Sequence, residues 1–168
     1  MATAVADGAR LPLIVSRLLV AAMLAAGCGV VASGSGSVTV PMQMLNTMTL
    51  VSVQVNGSPY HALFLLDTGA NLTVLNPLYA GRLGIVVPDN ARKKTIRAVG
   101  GAALTIPLVK VPRLAVGDAA VENMEIGVYD AFPQSRTIDG ILGADFLNRF
   151  NVTLDRTNNR LRLDRIAR

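Results

Sequence analysis

The 168-residue sequence has the length of one domain, and its hydrophobic content of 51% is enough to build a buried core. It contains no Trp, only 4% aromatic residues, and a net charge of +5 that comes from cations scattered along the chain. A nucleic-acid-binding surface needs a basic stripe and stacking side chains, so no nucleic-acid partner is expected.

The first 27 residues have the pattern of a targeting segment. An apolar stretch at 18–26 follows Arg10 and Arg17. Its length is typical of the hydrophobic part of a signal peptide and is too short to span a bilayer. We therefore predict that residues 1–27 are a signal peptide or a membrane anchor.

The apolar stretch ends at Cys28, the only cysteine of the chain. Residues 24–28 resemble a bacterial lipobox, in which a peptidase cuts before the cysteine and lipid is attached to its sulfur. Leu24 lies one position earlier than in the commonest pattern. Two outcomes stay open: a lipoprotein that begins at Cys28, or an uncleaved anchor that continues to Val31. Both place an exported or membrane-tethered protein in the bacterial periplasm or cell envelope, with the membrane as partner of its N-terminus.

Residues 28–48 are predicted to form a linker and an N-terminal strand, and residues 49–168 to form the folded domain. The Gly/Ser-rich stretch at 32–37 is typical of a flexible linker. A strand is expected to begin at Val38. Pro41 has no N–H to donate, so it is expected to confine this strand to a sheet edge or to end it.

Turn residues divide the rest of the chain into short strands. Asn56-Gly57 predicts a hairpin between strands at 49–55 and 60–66, and a further strand is expected at 72–75. Asn76 and Pro77 are typical of the first turn of a helix, which is predicted over 77–83.

Three more hairpins and a second helix follow in the C-terminal half. The predicted strand pairs are 93–99 with 102–109, 111–116 with 120–128, and 152–154 with 161–163, and a helix is predicted over 144–150 with Asp145 near its start. Many short strands and few helices indicate a mainly β fold, a small closed β-barrel with one or two short helices.

The strand at 60–66 runs directly into Asp67, Thr68 and Gly69. A carboxylate at the end of a buried strand is costly unless it is hydrogen-bonded, and glycine allows a backbone N–H to approach it closely. The same three residues are also common in ordinary turns. The segment is thus either a plain turn or a site that holds one carboxylate at the bottom of a groove.

Two motifs in this order resemble a known family. Residues 65–70 are similar to the active-site motif of aspartic proteases, and residues 139–147 are similar to their second signature, two apolar residues and a glycine before a short helix. One copy of each resembles the retropepsin-like proteases, including small bacterial members, over roughly residues 49–163. The second motif comprises Asp139, Gly140, Ile141, Leu142 and Gly143.

The resemblance implies a retropepsin-like barrel that hydrolyses peptide bonds as a symmetric homodimer. Asp67 of each subunit would be catalytic, Thr68 would hydrogen-bond across the two-fold axis, and Gly69 and Ala70 would shape the backbone around the carboxylate. Gly100 and Gly101 would form the tip of a flap over a peptide or protein substrate. An ordinary exposed hairpin is the alternative for this tip.

Within one chain, Asp139 and Asp145 are the candidates for a second carboxylate, although Asp139 has the context of a turn residue and Asp145 that of a helix cap. His61 is the only histidine of the chain, and the only cysteine belongs to the N-terminal leader. Cys–His catalysis and zinc ligation are therefore not expected. No metal or other cofactor is predicted. A non-catalytic module of this fold that dimerises or binds peptides remains the alternative function.

Overall fold

The computed structural model describes residues 36–97 and 100–166. The predicted leader, Cys28 and most of the Gly/Ser linker lie outside these residues. The strands are β1 (Ser37–Leu45), β2 (Met48–Val55), β3 (His61–Leu66), β4 (Val74–Leu75), β5 (Lys93–Arg97), β6 (Ala103–Val116), β7 (Ala119–Val128), β8 (Gly140–Leu142), β9 (Phe150–Asp155) and β10 (Arg160–Arg165); the helices are α1 (Pro77–Arg82) and α2 (Ala144–Leu147).

Six strands close into a barrel. Their order is β6-β7-β4-β8-β3-β2, and β2 pairs again with β6 through Val55 and Leu114. Inward-facing side chains such as Val51, Val53 and Phe64 are fully buried in its core. The prediction of a mainly β fold with a closed barrel and two short helices is therefore confirmed.

The hairpin of β2 and β3 forms at the predicted turn. Asn56 and Gly57 both have positive φ angles, 54° and 69°, which match the twist of the flanking strands. The register pairs Val51 with Phe64 and Val53 with Ala62, so the apolar side chains of both strands face the core. The hairpin thereby fixes where β3 ends and Asp67 begins.

Strand β6 is longer than the sequence predicts. The expected separate strands at 102–109 and 111–116 are one strand, whose first part pairs with β5 and whose remainder pairs with β7. The pairing with β7 passes over Pro112 and Asn123, and Asn123 has a φ of 54°. A proline lacks only one ladder donor, so this local irregularity accommodates Pro112 without ending the strand.

Strand β1 continues through Pro41 and lies between β2 and β10, so the prediction that the proline ends the strand or confines it to a sheet edge is wrong. Residues 37–41 pair with β10, and from Met42 onward the strand pairs with β2. Pro41 lies where the strand changes partner, so its missing donor interrupts neither ladder. The terminal strands β1, β10 and β9 thus form an extension of the sheet beside the barrel.

The two helices are short, and the residues at their N-termini determine where they begin. The Asn76 side chain caps α1 by accepting a 2.8 Å hydrogen bond from the N–H of Leu78, as predicted. The second helix ends at Leu147 rather than at 150, because Phe150 already begins β9. In the described ranges, neither helix has the length and apolarity needed to cross a membrane.

Candidate active site

Asp67 lies directly after β3, half-buried at the end of the strand. Its N–H donates to the carbonyl of Leu142 at 3.1 Å, which extends the β3–β8 pairing by one residue. Its carboxylate oxygen Oδ1 accepts a hydrogen bond of 2.9 Å from the N–H of Gly69. A Cβ atom at Gly69 would lie 3.3 Å from the same oxygen. The Asp-Thr-Gly turn therefore holds the carboxylate through the backbone, as its sequence indicates.

Glycines of the second motif allow the chain to pass under this turn. Strand β8 lies between β3 and β4, so the segment from 67 to 73 must cross its end. A Cβ at Gly140 would collide with the carbonyl oxygen of Val74, and one at Gly143 would lie 2.7 Å from the backbone of Leu72. Larger residues at these two positions would displace the turn that carries Asp67.

The two motifs are also joined by a hydrogen bond and by apolar packing. The N–H of Ala144 donates to the carbonyl of Ala70 at 2.7 Å. Leu142 is fully buried in the core, whereas Ile141 packs against the smaller cluster of Leu72, Val74 and Leu108. The pairing of distant segments therefore makes a single rigid unit around the carboxylate.

Asp145 has a different role from the helix cap that the sequence suggests. Residue 143 is the N-cap of α2, while the Asp145 carboxylate accepts hydrogen bonds from the N–H of Thr73 at 3.0 and 2.9 Å and from its hydroxyl at 2.6 Å. Thr73 is fully buried and in turn accepts a bond from the N–H of Gly143. Asp145 thus fixes the position of Thr73, at the end of the segment that begins with Asp67.

Sequence analysis missed Thr73 as a functional residue. Its only signal is a hydroxyl between the apolar residues Leu72 and Val74, on a segment expected to be buried. A buried hydroxyl needs a partner, but nothing local identifies a carboxylate 72 residues away as that partner.

Asp139 lies away from the Asp67 carboxylate. Its Oδ2 accepts a 2.9 Å bond from the N–H of Leu63, and its own N–H donates to the Leu63 carbonyl. Leu63 precedes Asp67 by four residues, which is about 13 Å along an extended strand. Burial, together with the Asp139 carboxylate, raises the pKa of Tyr79. Asp139 is therefore a structural partner of the barrel and does not supply a second carboxylate next to Asp67.

A cleft of about 810 Å³ lies between the Asp67 turn and the hairpin of β5 and β6. Asp67, Gly69, Ala70 and Asn71 line one wall, and the opposite wall is contributed by the hairpin. The cleft is lined by mostly apolar side chains: Leu65, Leu72, Val74, Ile96, Leu104, Phe132 and Ile141. An extended peptide fits such a groove by adding its backbone beside existing strands.

Gly100 and Gly101 lie in the turn of this hairpin, beyond the residues that line the cleft. Both are exposed, and their φ angles of 92° and 86° are in the left-handed region that favours glycine. A Cβ at either position meets no atom within 4 Å. Residues 98 and 99 lie outside the described part of the chain.

Thr68 and His61 lie outside the hydrogen-bond network around Asp67. Thr68 is exposed, with its hydroxyl available to a second molecule. His61 Nδ1 lies 3.1 Å from the hydroxyl of Ser52 on the exposed side of the β2–β3 hairpin. Within residues 36–97 and 100–166, no group of three or more His, Cys, Asp or Glu side chains is placed to hold a metal ion.

A family model described as aspartyl protease matches residues 51–146, more than half of the chain, and the protein therefore belongs to this family. The DNA damage-inducible protein 1 of Cryptococcus neoformans var. neoformans serotype D is 25% identical over 118 residues, or 70% of this chain and 26% of that protein. The chain thus spans about a quarter of the length of the curated relatives it matches.

The fold is that of the retropepsin-like proteases. A retropepsin-like aspartic protease from Rickettsia conorii superposes with a TM-score of 0.57 and 19% identity, covering 77% of this chain and 91% of that one. The retroviral protease-like domain of Ddi1 from Leishmania major gives a TM-score of 0.45 at 19% identity, covering 72% of this chain and 95% of that one. The family match over residues 51–146 and the fold shared with the Rickettsia conorii protease together confirm the predicted retropepsin-like family.

Proposed function

We propose that the protein is an aspartic endopeptidase that acts as a homodimer, with one active site formed by the Asp67 residues of two chains. The observation that carries the proposal is the position of Asp67. It lies on the wall of a peptide-sized cleft, held by the N–H of Gly69, and it is the sole acidic residue among the described residues that line this cleft.

The chemistry requires two carboxylates close together. One, ionised, takes a proton from water, and the other, protonated, donates a hydrogen bond to the scissile carbonyl as negative charge develops on its oxygen. Two carboxylates about 3 Å apart cannot both ionise readily, so the pair shares one proton. A two-fold axis beside Asp67 brings the same residue of a second chain opposite it and supplies this pair.

A peptide library tests the proposal. The full-length protein in mild detergent is incubated with the library at several pH values, and mass spectrometry identifies any cleaved bonds. Cleavage within peptides is expected, with a rate that falls both when the shared proton is lost at high pH and when both carboxyls are protonated at low pH. A folded dimer that binds peptides without cutting any would instead support the non-catalytic module.

The β5–β6 hairpin is proposed to be a flap with a mobile tip. Replacing Gly100 and Gly101 together by Val is expected to lower kcat/KM by roughly 10- to 100-fold, because a stiffened tip misplaces the flap over the substrate. The melting temperature is expected to fall much less than the activity, since the strain of Val at these positive φ angles is confined to an exposed turn where an added Cβ meets no other atom. Kinetics and thermal melting measure the two effects.

Gly84→Val is the matched control for the flap variant. Gly84 is also exposed, has a φ of 68° and has open space around its Cβ position, but it follows α1 instead of lying in the flap. It is expected to keep the wild-type kcat/KM. Hydrogen exchange at Gly100 and Gly101 as slow as in β3 would contradict a mobile tip.

We further propose that the protein is exported and tethered to the bacterial cell envelope through its N-terminus. Residue 28 is then expected to be the first residue of the mature chain and to carry lipid on its sulfur. Intact-mass analysis of the membrane-extracted protein measures this directly. Cys28→Ser is expected to abolish the lipid mass, and a wild-type chain that retains residues 1–27 would favour the uncleaved anchor.

A further inference from the structure

The flap contributes positive charge to the cleft. Lys94 and Arg97 of β5 line it together with Asp67, and no other charged residue is among the described residues of its lining. The positive charge therefore lies on the wall opposite the catalytic carboxylate, where a bound peptide would pass between the two.

The register of the hairpin places the Lys94 side chain on the cleft face. Lys94 pairs with Ile106, which is buried, and Ile96 is on the same face of the strand and packs against the cluster of Leu72, Val74 and Leu108. The side chains of Thr95 and Arg97 are on the other face, where the Thr95 hydroxyl lies 3.2 Å from that of Thr105, and both residues border the cleft as well. Because successive side chains alternate between faces, Lys94 projects to the side of Ile96.

The Lys94 and Arg97 charges have no carboxylate partner in the described part of the chain. The nearby Arg92 pairs with Glu125 at 2.9 Å, and the other ion pairs in the described ranges involve Arg113 and Arg162. Asp145 lines a smaller cleft together with Lys94, but its oxygens are occupied by the N–H and hydroxyl of Thr73 and the N–H of Phe146. A ligand carboxylate would therefore meet cations that no carboxylate contacts directly, while the charges of Asp145 and Glu125 border the smaller cleft beside Lys94.

We propose that this cleft selects acidic peptides, with Asp or Glu within a few residues of the apolar residue that fills the groove. Lys94 is the main selectivity residue and Arg97 assists it. This inference rests on the proposed endopeptidase function and specifies its substrate class. In a symmetric dimer each flap presents the same pair of cations, so acidic residues are favoured on both sides of the scissile bond.

The test uses matched peptides that share one apolar centre and differ only in Glu or Gln at single positions up to four residues away. They are assayed with the full-length protein in a neutral detergent at about pH 5.5, where Glu is ionised. Lys94→Gln is compared with Lys93→Gln. The control removes the same charge from the same strand, but Lys93 is on the face opposite the Lys94 side chain; it borders the smaller cleft beside Asp145 and does not line the cleft that contains Asp67.

The wild type is expected to cleave the best Glu peptide with a kcat/KM about two- to fivefold above that of its Gln counterpart, as for an exposed ion pair. The ratio is expected to shrink in high salt, because exposed charges are screened. Lys94→Gln should bring the ratio close to one, while Lys93→Gln keeps it. Equal cleavage of both peptides by the wild type, or equal loss in both variants, overturns the proposal.

A binding assay separates this inference from the proteolytic activity. Fluorescence anisotropy with Asp67→Asn, alone and combined with each lysine variant, measures affinity for the same peptides without turnover. Tighter binding of Glu peptides that depends on Lys94 supports acidic selection even where the wild type cleaves nothing and the endopeptidase proposal fails. Equal affinity for Glu and Gln peptides, or no binding of either, overturns it.

Discussion

Replacing Asp67 by Asn is expected to abolish peptide cleavage, with a fall in kcat of roughly 1,000-fold or more. The amide keeps the shape of the side chain but cannot take a proton from water. In the homodimer both carboxylates are lost at once, so no shared proton remains to polarise the scissile carbonyl. Steady-state kinetics on a peptide cleaved by the wild type measure this effect.

The variant is also expected to stay folded. Asp67 is only half-buried, and an Asn oxygen accepts the N–H of Gly69 as the carboxylate does. The barrel, the Thr73–Asp145 hydrogen bonds and the β3–β8 pairing do not depend on the charge of residue 67. Circular dichroism and thermal melting of the variant and the wild type check that only activity changes.

Asp139→Asn is a matched control for this experiment, because it makes the same chemical change at another half-buried aspartate of the barrel. Its Oδ2 accepts the N–H of Leu63, so its replacement is expected to affect stability by about 1 kcal/mol and leave kcat unchanged. Undiminished cleavage by folded Asp67→Asn would remove Asp67 from the mechanism, whatever the behaviour of the control.

The sequence predicts those parts of the fold that depend on neighbouring residues. Asn56-Gly57 and Gly117-Asp118 each specify a hairpin, and Asn76 caps the helix that it was expected to begin. In these cases one or two residues determine the backbone angles or satisfy an orphan N–H. Periodicity and turn chemistry are therefore sufficient to predict a barrel of short strands.

Contacts between distant segments have no signal in the sequence comparable to a turn or cap residue. The insertion of β8 between β3 and β4 joins residues more than 60 positions apart, and so does the hydrogen bond from Thr73 to Asp145. In the sequence, Asp145 fits a helix-cap pattern equally well. Such a local pattern does not show whether its carboxylate binds the start of the helix or Thr73. The same holds for β6, where two shorter strands were expected but the long-range pairings with β5, β7 and β2 sustain one.

In the candidate site, too, the local features are predictable from the sequence and the long-range contacts are not. The Asp-Thr-Gly turn is local, and the structure places it as its apolar flanks indicate. The role of Gly140 and Gly143 is visible only in the structure, because it depends on the close approach of Val74 and Leu72. The position of Lys94 on the cleft face of the β5–β6 hairpin likewise depends on register, since neighbouring Lys93 and Lys94 are indistinguishable in the sequence.

The specific activity of the protein is expected to fall on dilution, because the active species is proposed to be a homodimer. Among the described residues of one chain, Asp67 is the one carboxylate that lines the cleft, and Asp139 and Asp145 are both occupied by structural hydrogen bonds. Dilution below the dissociation constant separates the two Asp67 residues. Sedimentation and a cleavage assay over one dilution series, at constant detergent, measure mass and activity together.

Mixing experiments give the sharper test of the shared site. After exchange with a roughly tenfold excess of Asp67→Asn chains, only about one wild-type chain in eleven is expected to have a wild-type partner, so activity should fall by about that factor. The control is an equal excess of the Gly84→Val protein, which retains Asp67 and should not inhibit.

The apolar strands around 38–45 and 161–163 are candidates for the sheet of the dimer interface. Within one chain these strands already pair with each other, Val38 with Leu163 and Val40 with Leu161, and both leucines are buried. In the proposed dimer a second chain would therefore join at strand edges or surfaces that this pairing leaves open, and the exposed Thr68 beside Asp67 is one such surface. A monomer with flat specific activity across the dilution series would overturn the symmetric mechanism. It would require a second carboxylate from the same chain, and the structure places neither Asp139 nor Asp145 where it could serve.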